Sequence, residues 1–394
     1  MNMYVSSNRN VKLLFWATLF GSVTFLEPIM VLFYMQRGLD PSSVFWVTFA
    51  WCSAVLLFEV PTGAFADRFG PKASFIFGCA LNITSNILLI FAHDFLMLMI
   101  FNILWGASVT FFSGAEEALI YESLKENKGE SRMGEVLGKI SSATYIPMIF
   151  TFIFGAYFAK DLQEWQFISL ILLTICFQLV QLFILMKVSN PRDFGKFREN
   201  PFTHVKNGLN LIRQTPDIIK LFLNFTIVFI PSFVIFGKVE QPYLTQAGLP
   251  VAWLGVFYAG MALMGLLISQ NIGRLQKRVS NISIMRLSGL AAVIALGIAS
   301  FAFGQTLVFA TIVFLVVRMT RVIRYPVFSQ MTNEYIPSES RATTLSLLSI
   351  GDSVFDLLML TIFAGIATMG MSPVFAISAV ICTIGVLIPI REKR

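Results

Sequence analysis

The stretch FEVPTGAFADRFGPKAS, residues 58–74, sets two carboxylates, two cations, two prolines and two glycines between long apolar runs. Asp67, Arg68 and Lys72 cannot lie in hydrocarbon, whereas a short reversal at a membrane surface gives them water. Gly63 and Gly70 permit tight reversal and close backbone approach there. The segment is therefore read as an aqueous turn joining two membrane-spanning helices, and the rest of the chain must supply the membrane.

It does. The 394 residues are 56% hydrophobic and only 13% charged, with a mean hydropathy of +0.75, against about 25% charged in soluble domains. About 20 apolar residues cross a bilayer as a helix, and the sequence divides into twelve such spans: 12–35, 43–64, 73–92, 95–120, 135–158, 165–187, 219–239, 251–271, 283–303, 306–328, 342–364 and 371–390. The first is too long for the apolar region of a signal peptide and lacks a small-residue cleavage site, so it is expected to remain as a span.

Cations orient the spans. With the N-terminus inside, the outer loops hold only Arg37, Lys160 and Lys238. The inner segments collect Arg68, Lys72, Lys125, Lys128, Arg132, the cations of the 187–220 linker, Arg274, Lys277, Arg278 and the tail Arg391, Lys393 and Arg394. Lysine and arginine accumulate on the cytoplasmic side, so both termini are expected in the cytoplasm of a cell (plasma or inner) membrane protein. The net charge of +7 is accounted for by this asymmetry, with no nucleic-acid partner. Cys52, Cys79, Cys176 and Cys382 all fall in spans, and His93 and His204 are far apart, so neither disulfide, metal site nor cofactor is expected.

The longest polar break, from about Lys187 to Lys220, carries Pro191, Pro201 and Pro216 and divides six spans from six. The expected organisation is an N-terminal six-helix bundle, 1–187, a cytoplasmic linker, 188–218, and a C-terminal six-helix bundle, 219–394. Gly63 and Arg68 recur 210 positions later as Gly273 and Arg278, and Ser131 and Arg132 recur 209 positions later as Ser340 and Arg341. Such echoes suit a duplicated half.

The spacing Gly63-x-x-x-Asp67-Arg68-x-Gly70-x-Lys72 resembles the cytoplasmic signature loop of the major facilitator superfamily. The resemblance implies an all-α membrane protein of twelve transmembrane helices in two pseudo-symmetric bundles, a secondary transporter and no enzyme. It also implies a latch in which Asp67 meets the N-terminal end of helix 11 and loop arginines, here Arg68 and Arg132; Pro71 stands where a basic residue is usual. Family drug exporters carry an arginine in helix 4, where this chain has Asn102 followed by Gly106, and helix 5 keeps only Pro147 and Gly155 of a glycine-rich run.

Charge inside the spans marks candidate sites, because a charged side chain at mid-bilayer costs roughly 2.5–3.5 kcal/mol on insertion scales. Glu27 lies roughly 22 Å along helix 1, on a helix that the resemblance places around the central cavity; coupling or substrate contact competes there with a structural hydrogen bond. Arg318, Arg321 and Arg324 descend helix 10, the last two within reach of inner headgroups. Asp352 and Asp356 share one face of helix 11, with Asp352 level with Arg318, so an Arg318–Asp352 pair is expected, either permanent or coupled to transport. Glu116 and Glu117 diverge by about 100° on helix 4, near the depth of Glu59, as inner-gate, loop-anchoring or substrate residues.

No GxxxxGKS loop or nucleotide-hydrolysing domain occurs, so energy must come from a gradient. The expected activity is alternating-access transport of a small organic substrate by a monomer in the lipid bilayer, with protons as the coupling ion and efflux favoured. The alternatives are uptake symport or uniport of a metabolite, or a sensor or lipid-handling protein of the same fold.

Overall fold

A computed structural model describes residues 9–125, 133–190, 213–301, 306–336 and 341–393. Its helices follow the apolar runs. The first span comprises α1 (Arg9–Gly21), a 3-10 turn (Glu27–Ile29) and α2 (Met30–Gln36). Then come α3 (Pro41–Phe69), α4 (Pro71–Phe91), α5 (Phe95–Lys125), α6 (Met133–Phe158) and α7 (Glu164–Leu185). Beyond the linker, α8 (Pro216–Phe229), a π-helical segment (Ile230–Ile235) and α9 (Phe236–Gln246) form one continuous span. The chain continues through α10 (Val251–Gln276), α11 (Asn281–Phe301), α12 (Leu307–Tyr335), α13 (Arg341–Ala367) and α14 (Met371–Leu387). Each of the twelve expected spans lies on these helices, and among the described residues eight of the helices are long and apolar enough to cross a membrane.

Several boundaries differ from the sequence expectation, three of them with consequences for the charged residues. The charged segment is not an open loop: α3 runs to Phe69, so Gly63, Asp67 and Arg68 ride its last two turns, and Gly70 alone separates it from α4. The helix outlasts its apolar part because nothing between Gly63 and Phe69 breaks it, and its charged end gains water. The seventh span continues past 239 to Gln246, and the tenth past 328 to Tyr335. Arg132, the echo residues Ser131 and Ser340, and most of the linker (191–212) lie outside the described residues.

Gly70 takes φ 86° and ψ 160°. Proline at 71 begins α4 and bars the preceding residue from the helical region, leaving a conformation suited to glycine. An added Cβ would also lie 2.5 Å from Asn190 Nδ2, and Asn190 Oδ1 accepts from the Lys72 backbone N–H at 3.0 Å. At Gly63, by contrast, a Cβ would meet nothing within 4 Å. Gly70→Ala is therefore expected to destabilise the protein by about 1–3 kcal/mol. Gly63→Ala, in open space on a helix, should be neutral or stabilising by up to about 1 kcal/mol. Thermal unfolding of the two variants in detergent checks the contrast; equal midpoints would refute it.

The chain forms two compact units. The first comprises the described residues of Met1–Leu39, Ala50–Arg198 and Val251–Ala259, and the second those of Asp40–Phe49, Glu199–Pro250 and Gly260–Arg394. In the first unit α4 packs on α5 and α7, and α1 on α6 and α7. Glycines set the closest approaches: a Cβ on Gly106 of α5 would lie 2.6 Å from the Trp51 carbonyl oxygen of α3, and one on Gly155 of α6 would lie 1.9 Å from that of Phe25. Asn102, in the position where exporters carry arginine, is buried and donates to Tyr34 Oη at 3.1 Å and to the Leu98 carbonyl at 2.8 Å. Arg37 binds the Ala92 carbonyl at 2.5 Å and Glu164 at 2.6 Å, tying the ends of α2 and α4 to the start of α7. Burial pulls its guanidinium pKa below the usual value, and Glu164 opposes the shift.

In the second unit α11 packs on α12 and α14, and α8 on α12 and α14. Leu221, Phe225, Met285, Val327 and Met331 form part of its apolar core. Arg324 does not reach the headgroups. It is 1% exposed and donates to the Asn224 carbonyl at 2.8 Å, to Asn224 Oδ1 at 2.9 Å and to the Met285 carbonyl. The extra two turns of α12 carry its end beyond Arg324 and leave that cation inside the unit, joining α8, α11 and α12.

Candidate functional site

Polar side chains interrupt the apolar interior in each unit. In the first unit the interruption starts in the backbone. After Gly21 the chain leaves the α1 helix, passes through residues 22–26, and resumes as the 3-10 turn Glu27–Ile29, in which Pro28 lacks an N–H to continue a regular ladder. The break packs against α6 where Gly155 leaves room for the Phe25 carbonyl. It opens a cleft lined by Thr24, Phe25, Leu26, Glu27 and Met30, by Asn82, Asn86 and Leu89 of α4, by Phe101 and Trp105 of α5, and by Ile171, Thr174 and Gln178 of α7. The cleft has an empty volume of about 430 Å³, open space at its mouth included.

Glu27 is an exposed residue at this cleft. The amides beside it interlock: Asn86 Nδ2 donates to Asn82 Oδ1 at 3.2 Å and to Gln178 Oε1 at 3.4 Å. Sequence reasoning found Glu27 and missed the amides. Asn82 and Asn86 are one helical turn apart in a mostly apolar span, with Thr84 and Ser85 between them, which is the signal that was available.

In the second unit the seventh span carries the irregularity. Pro231 cannot donate a backbone hydrogen bond, and the helix widens into a π segment over Ile230–Ile235; such bulges are frequent at functional sites. Beyond it Glu240 is 1% exposed and makes a bidentate pair with Arg318 of α12, Nε to Oε2 at 2.6 Å and Nη2 to Oε1. The Arg318 guanidinium also stands 5.0 Å from the Phe233 ring centroid, and that of Arg321 3.9 Å from the same ring.

Arg318 is thus held by Glu240 and not by Asp352. Sequence reasoning missed Glu240 because the seventh span was ended at residue 239, one position short. Asp352 accepts instead from Thr226 Oγ1 of α8 at 2.8 Å. Asp356, one turn further along α13, has a buried Oδ1 with no hydrogen-bond partner among the described residues. Lys238 of α9 lies within electrostatic range of Asp356, as does Asp352. Among the described residues neither aspartate forms a salt bridge, so two carboxylates share one apolar helical face with a hydroxyl and a distant ammonium.

The remaining candidates are less enclosed. Asp67 and Arg68 are exposed and Lys72 half-buried, with the Arg68 guanidinium 5.2 Å from the Phe69 ring centroid. Glu59 accepts from Ser113 Oγ at 2.9 Å, tying α3 to α5. Glu116 is half-buried, and the Glu117 side chain lies outside the described residues.

Known proteins resemble this chain along nearly its whole length. An uncharacterised MFS-type transporter of Bacillus subtilis (strain 168), YxaM, is 22% identical over 369 residues, covering 92% of this chain and 90% of that protein. The crystal structure of a mutant of the nucleoside transporter NupG superposes with a TM-score of 0.78 at 11% identity, covering 96% of this chain and 97% of the other. That of a D-xylose-proton symporter does so with a TM-score of 0.72 at 11% identity, covering 99% and 98%. At these identities the solved structures establish the fold, while the sequence matches the Major Facilitator Superfamily over residues 14–355. The chain therefore belongs to the Major Facilitator Superfamily, and it is a multi-pass membrane protein, a secondary transporter of a small solute.

Proposed function

We propose that the protein exports a small organic solute in exchange for protons, with Asp352 and Asp356 as the proton-binding pair. The observation that carries this reading is the buried Asp356 Oδ1 without a hydrogen-bond partner among the described residues, one turn from Asp352. Arg318, the nearest strong counter-ion on sequence grounds, is committed to Glu240. Two carboxylates left in an apolar face without an arginine are suited to taking up and releasing a proton as water access changes.

In this reading the N-terminal bundle (1–187) and the C-terminal bundle (219–394) rock about a midplane site, joined by the cytoplasmic linker 188–218. The protein works as a monomer in the cell membrane with both termini in the cytoplasm. Gly63, Asp67, Arg68, Gly70 and Lys72, with Arg132, form the cytoplasmic latch, and Glu116 and Glu117 stand near its inner gate. Efflux is favoured by the likeness of the signature segment to that of exporters.

The test is reconstitution of the full chain in liposomes loaded with a pH-sensitive dye, followed by addition of candidate solutes. Solute-driven proton movement opposite to solute flux supports coupled export. Movement in the same direction replaces export by symport, and solute flux without proton movement refutes proton coupling.

A further inference from the structure

We infer that Asn224 and Arg324 are positioning residues for the proton-binding pair: they form a buried clasp that fixes the rotation of α8 and so sets the Thr226 hydroxyl against Asp352 and not Asp356. The inference rests on the reading of Asp352 and Asp356 as that pair. Among the described residues none of the hydrogen bonds of the clasp goes to either carboxylate.

Arg324 is costly where it stands. It is 1% exposed, its Nε has no hydrogen-bond partner among the described residues, and no carboxylate among them pairs with it. The oxygens it reaches are all neutral: the Asn224 and Met285 carbonyls and Asn224 Oδ1. A charge taken out of water without a counter-ion destabilises a fold, and an apolar side chain of similar volume would fill the same space at less cost. Fold stability therefore does not account for the arginine, whereas fixing a register does.

The hydrogen bonds show which register. Both bonds from Nη2 go to one residue, to the Asn224 carbonyl at 2.8 Å and to Asn224 Oδ1 at 2.9 Å. With Oδ1 taken, Nδ2 of the same amide turns to the end of α14 and donates to the Gly385 carbonyl at 2.9 Å and the Ile388 carbonyl at 3.0 Å. The amide is used at both ends, so turning it over breaks bonds on both sides. Nη1 binds the Met285 carbonyl of α11 beside the notch left by Gly289, where a Cβ would lie 2.9 Å from it. At Asn224 α8 is thus held against α11, α12 and α14 together.

Thr226 stands two residues further along α8, about 200° round the helix, and donates to Asp352 Oδ1 of α13 at 2.8 Å. The clasp and the hydroxyl face opposite sides of the same helix. A rotation of α8 by about 20° carries a group roughly 5 Å from its axis through nearly 2 Å, which takes the hydroxyl out of hydrogen-bond range. Asp352 has this donor, whereas Asp356, one turn on, has a buried Oδ1 without a partner among the described residues. A hydroxyl that reaches one carboxylate and not the other makes the two unequal. The clasp therefore decides which of them exchanges the proton, acting from the far side of α8.

Infrared difference spectra of the purified full chain, recorded on acidification in detergent, identify the Asp352 carboxyl band by its loss in Asp352→Asn. Thr226→Val should move that band, and Arg324→Met should move it in the same direction. The two changes combined should move it no further than Thr226→Val alone, because both remove one bond. Arg324→Lys, which keeps the charge and can keep a bond to Asn224, should move it less and serves where Arg324→Met does not fold. The thermal midpoint of Arg324→Met should equal or exceed that of wild type. In liposomes Arg324→Met should lower solute-driven proton movement about five- to tenfold, with solute exchange in the absence of net proton movement falling less than about twofold.

An Asp352 band at its wild-type position in Thr226→Val, or in every folded Arg324 variant, overturns the inference. So do shifts of Arg324→Met and Thr226→Val that add in the combined variant. Equal losses of proton movement and solute exchange with a lowered thermal midpoint mark Arg324 as structural and overturn it too. The two readings fail separately. A wild type without solute-driven proton movement, with the band moved as stated in the variants, removes the coupling proposal and keeps the clasp; proton movement abolished in Asp356→Asn and untouched in Arg324→Met removes the clasp alone.

Discussion

Glu240→Ala is expected to cost about 3–5 kcal/mol of stability, because it leaves the Arg318 guanidinium, largely buried, without its carboxylate. The Glu240 side chain is 1% exposed and that of Arg318 17%, so water replaces the lost carboxylate at Arg318 only in part. The neighbouring Phe233 ring offers a cation–π contact, worth far less than a bidentate pair. Arg318→Met combined with Glu240→Leu should recover most of the loss, since apolar replacement removes both desolvation costs together. Thermal midpoints of wild type, Glu240→Leu, Arg318→Met and the double variant in one detergent form the required cycle, with Glu240→Ala measured beside them. A Glu240→Ala midpoint equal to that of wild type would show that the pair contributes nothing to stability.

The second large effect concerns transport. Asp356→Asn should reduce solute-driven proton movement at least about 100-fold, because an amide cannot exchange a proton at the position where Oδ1 is buried without a partner among the described residues. The same change should leave stability unaltered or raised, since an amide is less costly than a carboxylate to hold in apolar surroundings. Loss of flux with an unchanged or higher thermal midpoint therefore distinguishes a coupling residue from a structural one. Asp352→Asn should act less strongly, because Thr226 holds Asp352 by a hydrogen bond that an amide oxygen also accepts. Equal proton flux in Asp356→Asn and wild type would move coupling away from this pair.

The arrangement of charge explains why parts of this protein were readable from the chain. Asp67, Arg68 and Lys72 flanked by apolar runs demand a membrane surface wherever they fold, and the helices on either side follow from length and hydropathy. Gly70 ahead of Pro71 similarly requires a break, and its positive φ is the local consequence. Both are decided within a few residues, and the distant Asn190, which accepts from the Lys72 backbone N–H, only adds to a break the local sequence already makes.

Pairing was different. A helical register places Arg318 level with Asp352, yet it does not say which carboxylate comes within hydrogen-bond distance. Glu240 was missed because the seventh span was drawn only to residue 239; the helix runs on through a π segment to Gln246. Arg324 was assigned to the headgroups because the tenth span was ended four residues beyond it, and the longer α12 leaves it buried.

By itself the sequence determined that this is a multi-span helical membrane protein, since insertion energies sum over consecutive residues, and its signature segment pointed to the family. Only the tertiary structure decided the break in the first helix, the joining of Glu27 with amides of α4 and α7 in one cleft, and the assignment of Arg318 to Glu240. Those features depend on side chains far apart in the chain, Glu27 with Gln178 and Glu240 with Arg318, meeting within one cleft or at hydrogen-bond distance. Short-range electrostatics and hydrogen bonding are settled only there, where a shift of an ångström or two exchanges one partner for another.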